Sequence, residues 1–332
     1  MRSAAEVTRT PSLLQGAGGF LALALLPGVL HCAGSNAPAQ GMSETRTVQS
    51  LTDGWPIHIT YFPAQTKDSK SGSPDAGVVI LLHGKAGDRL VWEQKHGNAK
   101  ESLASGIQQV LGLAVVSVDM RKHGESIQDG AGKTDAVLRN EDYQAMWQGD
   151  LEAVKQFLMQ EHQDKKLNIN KLAIVAADEM APIAARFAVA DWNKRPYDDA
   201  PATSPQDRTP RGQDVRALVL LSPSNTAGNI NILGSVRQLR EPRAGIAMLV
   251  LVGQEDSANS STARNIERAM KAADRDGTRT YFQTFPEVKF SGTDLLGKPN
   301  IEAEILIINF LEKHIVKLDS SWRDRRSRLD RP

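Results

Sequence analysis

The chain predicts an α/β fold: a three-layer sandwich with helices on both faces of a mostly parallel sheet. Three observations carry this. Short aliphatic runs, such as Gly77-Val-Val-Ile-Leu-Leu82 and Leu113-Ala-Val-Val-Ser-Val118, read as strands buried on both faces. They alternate with amphipathic helical stretches, the pattern of parallel strands joined by helical crossovers. At 172–188 a buried strand runs into an Ala-rich helix with almost nothing between them, and Asp178 stands at the junction.

Taken in order, residues 47–51 and 57–62 alternate about the turn signal Asp53-Gly54 and predict a two-stranded opening. A polar Gly/Ser/Pro loop leads to the strand 77–82, which ends in His83-Gly84. A helix follows over about 99–111, with Leu103, Ile107 and Leu111 on one face. The strand 113–118 runs into the loop 119–126. After a polar connection comes a long helix, about 142–161, whose inner side carries Leu151, Val154, Phe157 and Leu158. Pro182 is tolerated only in a helix's first turn, so the focal helix starts at Glu179 or Met180. Residues 191–215 form a Pro-, Asp- and Arg-rich loop, read either as a lid or as a mobile stretch. Strands at 216–221, 247–252 and 279–284 and helices at about 261–273 and 302–316 complete the domain. The tail 319–332 is Arg- and Asp-rich and reads as frayed, solvated charge.

The start is read as a leader. Arg2 and Arg9 precede the apolar run 19–30, and Ala37-Pro-Ala39 offers a cleavage site before Gln40. This divides the chain into a signal peptide (1–39), one domain (40–318) and the tail, and predicts export to the periplasm or the exterior. The alternative is membrane anchoring through a lipidated Cys32, although His31 stands where a small residue is expected. Cleavage removes the only Cys, and with it any disulfide or thiol nucleophile. Arg2, Glu6 and Arg9 go too, leaving 38 basic and 38 acidic residues of the original 40 and 39. A net charge near zero gives no electrostatic case for nucleic acid. The scattered His residues give no metal-ligand spacing, and no phosphate-cradling glycine pattern follows a strand, so no metal or cofactor is expected.

Ligands on such sheets bind beyond the carboxyl ends of the strands. That edge gathers His83-Gly84, 119–126, Asp178, Pro223-Ser224, Glu255-Asp256 and the segment after Thr284. Five features there, in order, carry a resemblance. They are the strand ending in His83-Gly84, the Asp-x-Arg-x-His-Gly-x-Ser loop at 119–126, the strand–turn–helix at 172–188, Val252-Gly-Gln-Glu-Asp256, and Gly292-Thr-Asp-Leu-Leu296. Over roughly 47–316 the chain resembles the α/β-hydrolase superfamily, in an esterase- or lipase-like form without a helical cap.

The resemblance assigns positions as well as a fold. In the family, the turn reads Gly-x-nucleophile-x-Gly, with Ser in the middle. Here it reads Ala176-Ala-Asp-Glu-Met180, which puts Asp178 at the nucleophile position and implies a turn relaxed or repacked around Met180. Asp256 fills the position of the triad acid. The triad His is expected just before Gly292, where Ser291 stands, and no His occurs from 256 to 313. Oxyanion donors would be the backbone amides near Gly84-Lys85 and that of Glu179. His83 and His123 are the candidate substitute bases. Lys85 and Arg121 are cations that would offset Asp178 or pair with it.

Members that use Asp as nucleophile, of the haloalkane dehalogenase and epoxide hydrolase types, are similar at Asp178. They keep the His to release the ester and carry a cap for which 222–245 leaves no room. Two functions follow. The first is a protein with a degenerate triad, whose cleft takes a small-molecule ligand or a protein partner without efficient turnover. The second is a hydrolase of ester-like substrates using a non-standard site around Asp178 and Asp256. Membrane contact is expected only if the leader is retained or Cys32 is lipidated.

Overall fold

The computed structural model describes residues 43–65, 72–127, 137–240 and 244–331. The leader, its cleavage motif and Cys32 lie outside them. In chain order the strands are β1 (Glu44–Gln49), β2 (Pro56–Phe62), β3 (Val78–Leu82), β4 (Ala114–Val118), β5 (Leu172–Ala177), β6 (Val215–Leu221), the two-residue partners β7 (Thr226–Ala227) and β8 (Ile230–Asn231), β9 (Ala247–Gly253) and β10 (Thr280–Phe285). Eight of them form one sheet in the order β1-β2-β4-β3-β5-β6-β9-β10. β2 is antiparallel to both of its neighbours, and every pairing from β4 to β10 is parallel. The opening hairpin turns at Gly54, whose φ of +71° is the left-handed conformation that Asp-Gly supplies.

Alternation along the strands builds two cores, one on each face. Leu172, Ile174 and Ala176 of β5 point into one, and Ala173, Val175 and Ala177 into the other. The first core is covered by a long helix in two parts, α3 (Asn140–Ala145) and α4 (Leu151–Gln163), joined by a π turn (Met146–Asp150), and by α5 (Met180–Asn193), α6 (Ile232–Leu239) and α7 (Ser260–Lys271). The second is covered by the short α1 (Leu90–Glu93), α2 (Leu103–Leu111) and α8 (Ala303–Leu311). The helix expected from residue 99 begins at Leu103, because the Ser102 side chain accepts the Ser105 amide and sets the N-terminus there. Residues 222–245 hold only the β7–β8 ribbon and α6 among those described, and no cap.

Two stretches expected to be loose are instead fastened to each other. Arg325 of the tail is buried, pairs with Asp214, and donates to the carbonyls of Gly212 (2.9 Å) and Pro210 (3.0 Å). Lys155 pairs with both Asp214 and Asp191 in the same buried cluster. Trp322 donates from its indole to the His162 carbonyl at 2.8 Å. A frayed-tail reading rests on composition, and composition does not reveal that one arginine has a buried carboxylate waiting for it. The 191–215 loop sits where the chain enters β6, at the N-terminal end of the strands. Asp178 is at the other end, so the loop is not a lid over it.

Candidate functional site

Asp178 is placed by the junction of β5 and α5. Its φ is +48°, a conformation costly for a residue with a Cβ and held here by the surrounding structure. The Asp178 amide donates to the Leu221 carbonyl at 3.0 Å, and its carbonyl accepts the amides of Ser224 (3.1 Å) and Ala181 (3.2 Å). The turn is therefore sharp and stitched to the end of β6. The relaxation expected from Met180 does not occur, because its side chain is fully buried in the core beneath α5, away from the turn. A glycine there is not needed.

The half-buried carboxyl of Asp178 has a neighbour at each oxygen. Oδ1 accepts the Ser291 hydroxyl at 3.0 Å. Oδ2 lies against the backbone of Gly84 and Gly292, so close that a Cβ on either would fall 2.3 or 2.1 Å from it. Burial pushes the Asp178 carboxyl up to about 6; the Ser291 hydrogen bond opposes this, and the negative charges of Asp256 and Asp294 add to it. The Lys85 backbone amide also favours the charged form. One of the amides expected to serve an oxyanion is thus turned toward the protein's own carboxylate.

Behind Ser291 stands Asn259, a residue that the sequence reading does not single out. Its Nδ2 donates to Ser291 Oγ at 2.9 Å and to Asp256 Oδ2 at 3.3 Å. A connected row results, carboxylate, amide, hydroxyl and carboxylate, from Asp256 through Asn259 and Ser291 to Asp178. The three triad-equivalent positions do come together in space. The amide between them has no proton to lose and no site to accept one at ordinary pH, so the row orders the site but does not carry a proton. Asp256 also accepts the Asn259 backbone amide at 3.1 Å, a local turn bond that fixes the loop before α7. The Asp-x-x-Asn spacing of that bond is the one local signal that pointed to Asn259.

The remaining candidates are placed away from this row. His83 is fully buried; its Nδ1 lies 2.7 Å from the Gly84 carbonyl and its Nε2 accepts the Met120 amide. Burial holds the imidazole down at about 3, with His123 adding to the effect. His123 faces the carbonyls of Arg121 and Lys85 and stacks near His83, the ring centres 4.7 Å apart. Backbone groups occupy the nitrogens of both rings, and neither ring bonds to Asp178. Arg121 does not offset Asp178: it is itself buried and is paired with the buried Asp150 and the exposed Asp53. Lys85 pairs with Glu179, at 2.9 Å; Glu179, with the charge of Asp178 adding to it, raises the Lys85 ammonium group from its ordinary value.

Glu179 is also held from the other side. The Tyr143 hydroxyl of α3 donates to its second oxygen at 2.9 Å, and Tyr143 packs on Gly228 of the ribbon. Lys85, Glu179 and Tyr143 form a strap at the mouth of the site. No sequence spacing links Tyr143 to residue 179; only the packing of α3 over the strand ends brings them together. A cleft of about 950 Å³ among the described residues is not lined by Asp178. Among the described residues no three His, Cys, Asp or Glu side chains are placed to hold a metal ion, and no helix is long and apolar enough to cross a membrane.

No protein-family model matches the sequence, and no curated protein matches it. Solved structures do. An esterase from Pyrococcus furiosus is similar at 13% identity with a TM-score of 0.54, over 82% of this chain and 91% of the esterase. A dienelactone hydrolase from Anabaena variabilis is similar at 15% identity and a TM-score of 0.51, over 82% and 98%. An acylaminoacyl peptidase from Pyrococcus horikoshii is similar at 14% and 0.54, over 85% of this chain but 43% of the peptidase.

Proposed function

On the α/β-hydrolase fold that this chain shares with those enzymes, we propose a protein of esterase- or lipase-like ancestry whose triad is degenerate and which binds a ligand or partner without efficient turnover. The observation that carries this reading is the Asp256–Asn259–Ser291–Asp178 row. Acyl transfer needs a nucleophile, a base to carry its proton, and donors free to meet the developing oxyanion. Here the proton carrier's position holds a hydroxyl backed by an amide. A carboxylate lies beside the Lys85 amide, where an oxyanion would have to form, and its charge opposes a second anion. An attack by Asp178 itself needs an approach to one of its oxygens. Ser291 covers one of them, and Gly84 and Gly292 cover the other.

We further propose that the protein is exported after removal of 1–39. A small molecule or a second protein then docks at the carboxyl edge of the sheet, over the Lys85–Glu179–Tyr143 strap rather than on Asp178 itself.

One observation favours the second reading, an active hydrolase with a non-standard site. A carboxyl raised to about 6 is poised to exchange a proton near neutral pH, and Asp178 has the Ser291 hydroxyl in reach. Turnover of a panel of activated esters by the full chain, beside the Asp178→Ala and Ser291→Ala variants, separates the two readings. The expected outcome is no turnover above buffer by any of the three proteins, all folded. Activity in the wild type that both substitutions abolish would establish the hydrolase.

A further inference from the structure

The opposite end of the sheet carries a second feature, independent of the triad positions. A cleft of about 950 Å³ lies between the 196–213 loop and the last segment of the chain, 319–331. Both walls are the stretches that Arg325 and Asp214 fasten together, so the cleft exists only in the latched chain.

Its lining is rich in arginine. Two of the arginines are matched already: Arg325 by Asp214, and Arg208 by Asp198 at 2.7 Å. Four others, Arg216, Arg323, Arg328 and Arg331, make no side-chain ion pair among the described residues, although Asp214 and Asp191 act on Arg216, Asp199 on Arg328 and Asp324 on Arg331 from farther off. Of the lining carboxylates, Asp324 is paired with Arg326 at 2.6 Å, and Asp207 and Asp319 form no ion pair, so the lining itself sets six arginines against three aspartates.

Two of the four are held in place. Arg216 is half-buried on the floor; its Nε donates to the Asn170 carbonyl at 3.1 Å and its guanidinium lies over Trp192, 5.2 Å from the ring centre. That fixes the plane of the fork; burial lowers the Arg216 guanidinium from its ordinary value, and the charges of Asp214 and Asp191 oppose this. Arg331 is held by Thr209 Oγ1 at 2.9 Å and by the carbonyls of Asp324 and Arg326. Neutral acceptors hold these guanidinium groups in direct contact, and the carboxylates nearest them act without forming an ion pair. Arg208 adds a buried Nε with no acceptor in the same wall.

Like charges gathered in one concavity repel each other over the ~8–10 Å reach of electrostatics in salt. A bound anion removes that repulsion, and planar guanidinium forks match the several oxygens of a phosphate group. We propose that this cleft binds a multiply charged phosphate-type anion through Arg216, Arg323, Arg328 and Arg331. A soluble phosphate compound and an anionic lipid headgroup present the same chemistry.

The test is calorimetric titration of the full chain with tripolyphosphate at low ionic strength, beside sedimentation with vesicles of equimolar phosphatidylglycerol and phosphatidylcholine. The exposed pair is removed in an Arg323→Gln/Arg328→Gln variant, with an unchanged urea midpoint as the control for folding. Tripolyphosphate binding that weakens with salt, and by about tenfold or more in the variant, supports the site with a soluble ligand. Vesicle binding alone, lost in the variant, supports it with a headgroup. No binding to either probe, or equal binding by variant and wild type, overturns the proposal.

Discussion

Ser291 Oγ donates to Asp178 Oδ1 at 3.0 Å, across 113 residues of sequence. The partner of the carboxyl is thus a side chain that cannot act as a base at neutral pH, and it is held there by Asn259 and Asp256. The bond also fixes the carboxyl rotamer of Asp178 and directs the other oxygen between Gly84 and Gly292. Three predictions follow from the enclosure of that carboxyl and from the latch at the far end of the sheet.

Gly84 has no side chain because Asp178 occupies the space. Gly84→Ala is expected to cost roughly 2 kcal/mol in the wild-type background, the range of an overpacked core position. In an Asp178→Ala background the Cβ has room, and the coupling between the two sites is expected to reach about 1 kcal/mol or more. Urea denaturation of the four proteins of the cycle measures this. Equal costs in both backgrounds would mean that the carboxyl does not press on Gly84.

Asp178→Asn keeps the shape of the side chain and removes its charge. The folded carboxyl titrates at about 6, above its ordinary 3.8, so the folded state holds this proton more tightly than the unfolded chain does. The charged form therefore costs stability, fully above pH 6, and the cost disappears as pH falls toward 3.8. At about 1.4 kcal/mol per pKa unit, the Asn variant should be more stable than wild type by roughly 1–3 kcal/mol at pH 7.5. Near pH 4 the two should converge. A difference independent of pH would remove the argument that burial opposes the charge.

Arg325→Leu breaks the latch and leaves Asp214 buried with Lys155 alone. Removing one partner from a buried ion cluster typically costs about 3–5 kcal/mol. The expected result is a loss in that range, together with rapid proteolysis within 319–332. Arg326→Ala, which breaks only the partly exposed pair with Asp324, should leave the urea midpoint and the protection of the tail unchanged. A tail that stays protected in Arg325→Leu would show that the other contacts suffice.

The alternation of aliphatic runs with amphipathic helices was enough to identify the strands of the main sheet to within three residues at either end, because burial on both faces leaves a local signature in each run. Small elements escaped. Neither α6, eight residues ending in Arg-rich sequence, nor the two-residue ribbon carries a period long enough to read. The strand-to-helix turn at Asp178 was legible from Pro182 and the short junction. Its strain was not, since φ at a single residue is set by what the turn is stitched to, here Leu221 and Ser224.

By itself the sequence determined the class of fold and the edge on which chemistry-bearing residues gather. These depend on periodicity and on the order of motifs, which are properties of the chain read one stretch at a time. The tertiary structure alone decided that Asn259 bridges Asp256 and Ser291, that Tyr143 straps Glu179, that His83 and His123 are consumed by backbone groups, and that Arg325 ties the tail to Asp214. Each of these joins residues on different elements. Such a contact depends on which side chains the packed sheet brings within about 3 Å, and no local pattern records that distance.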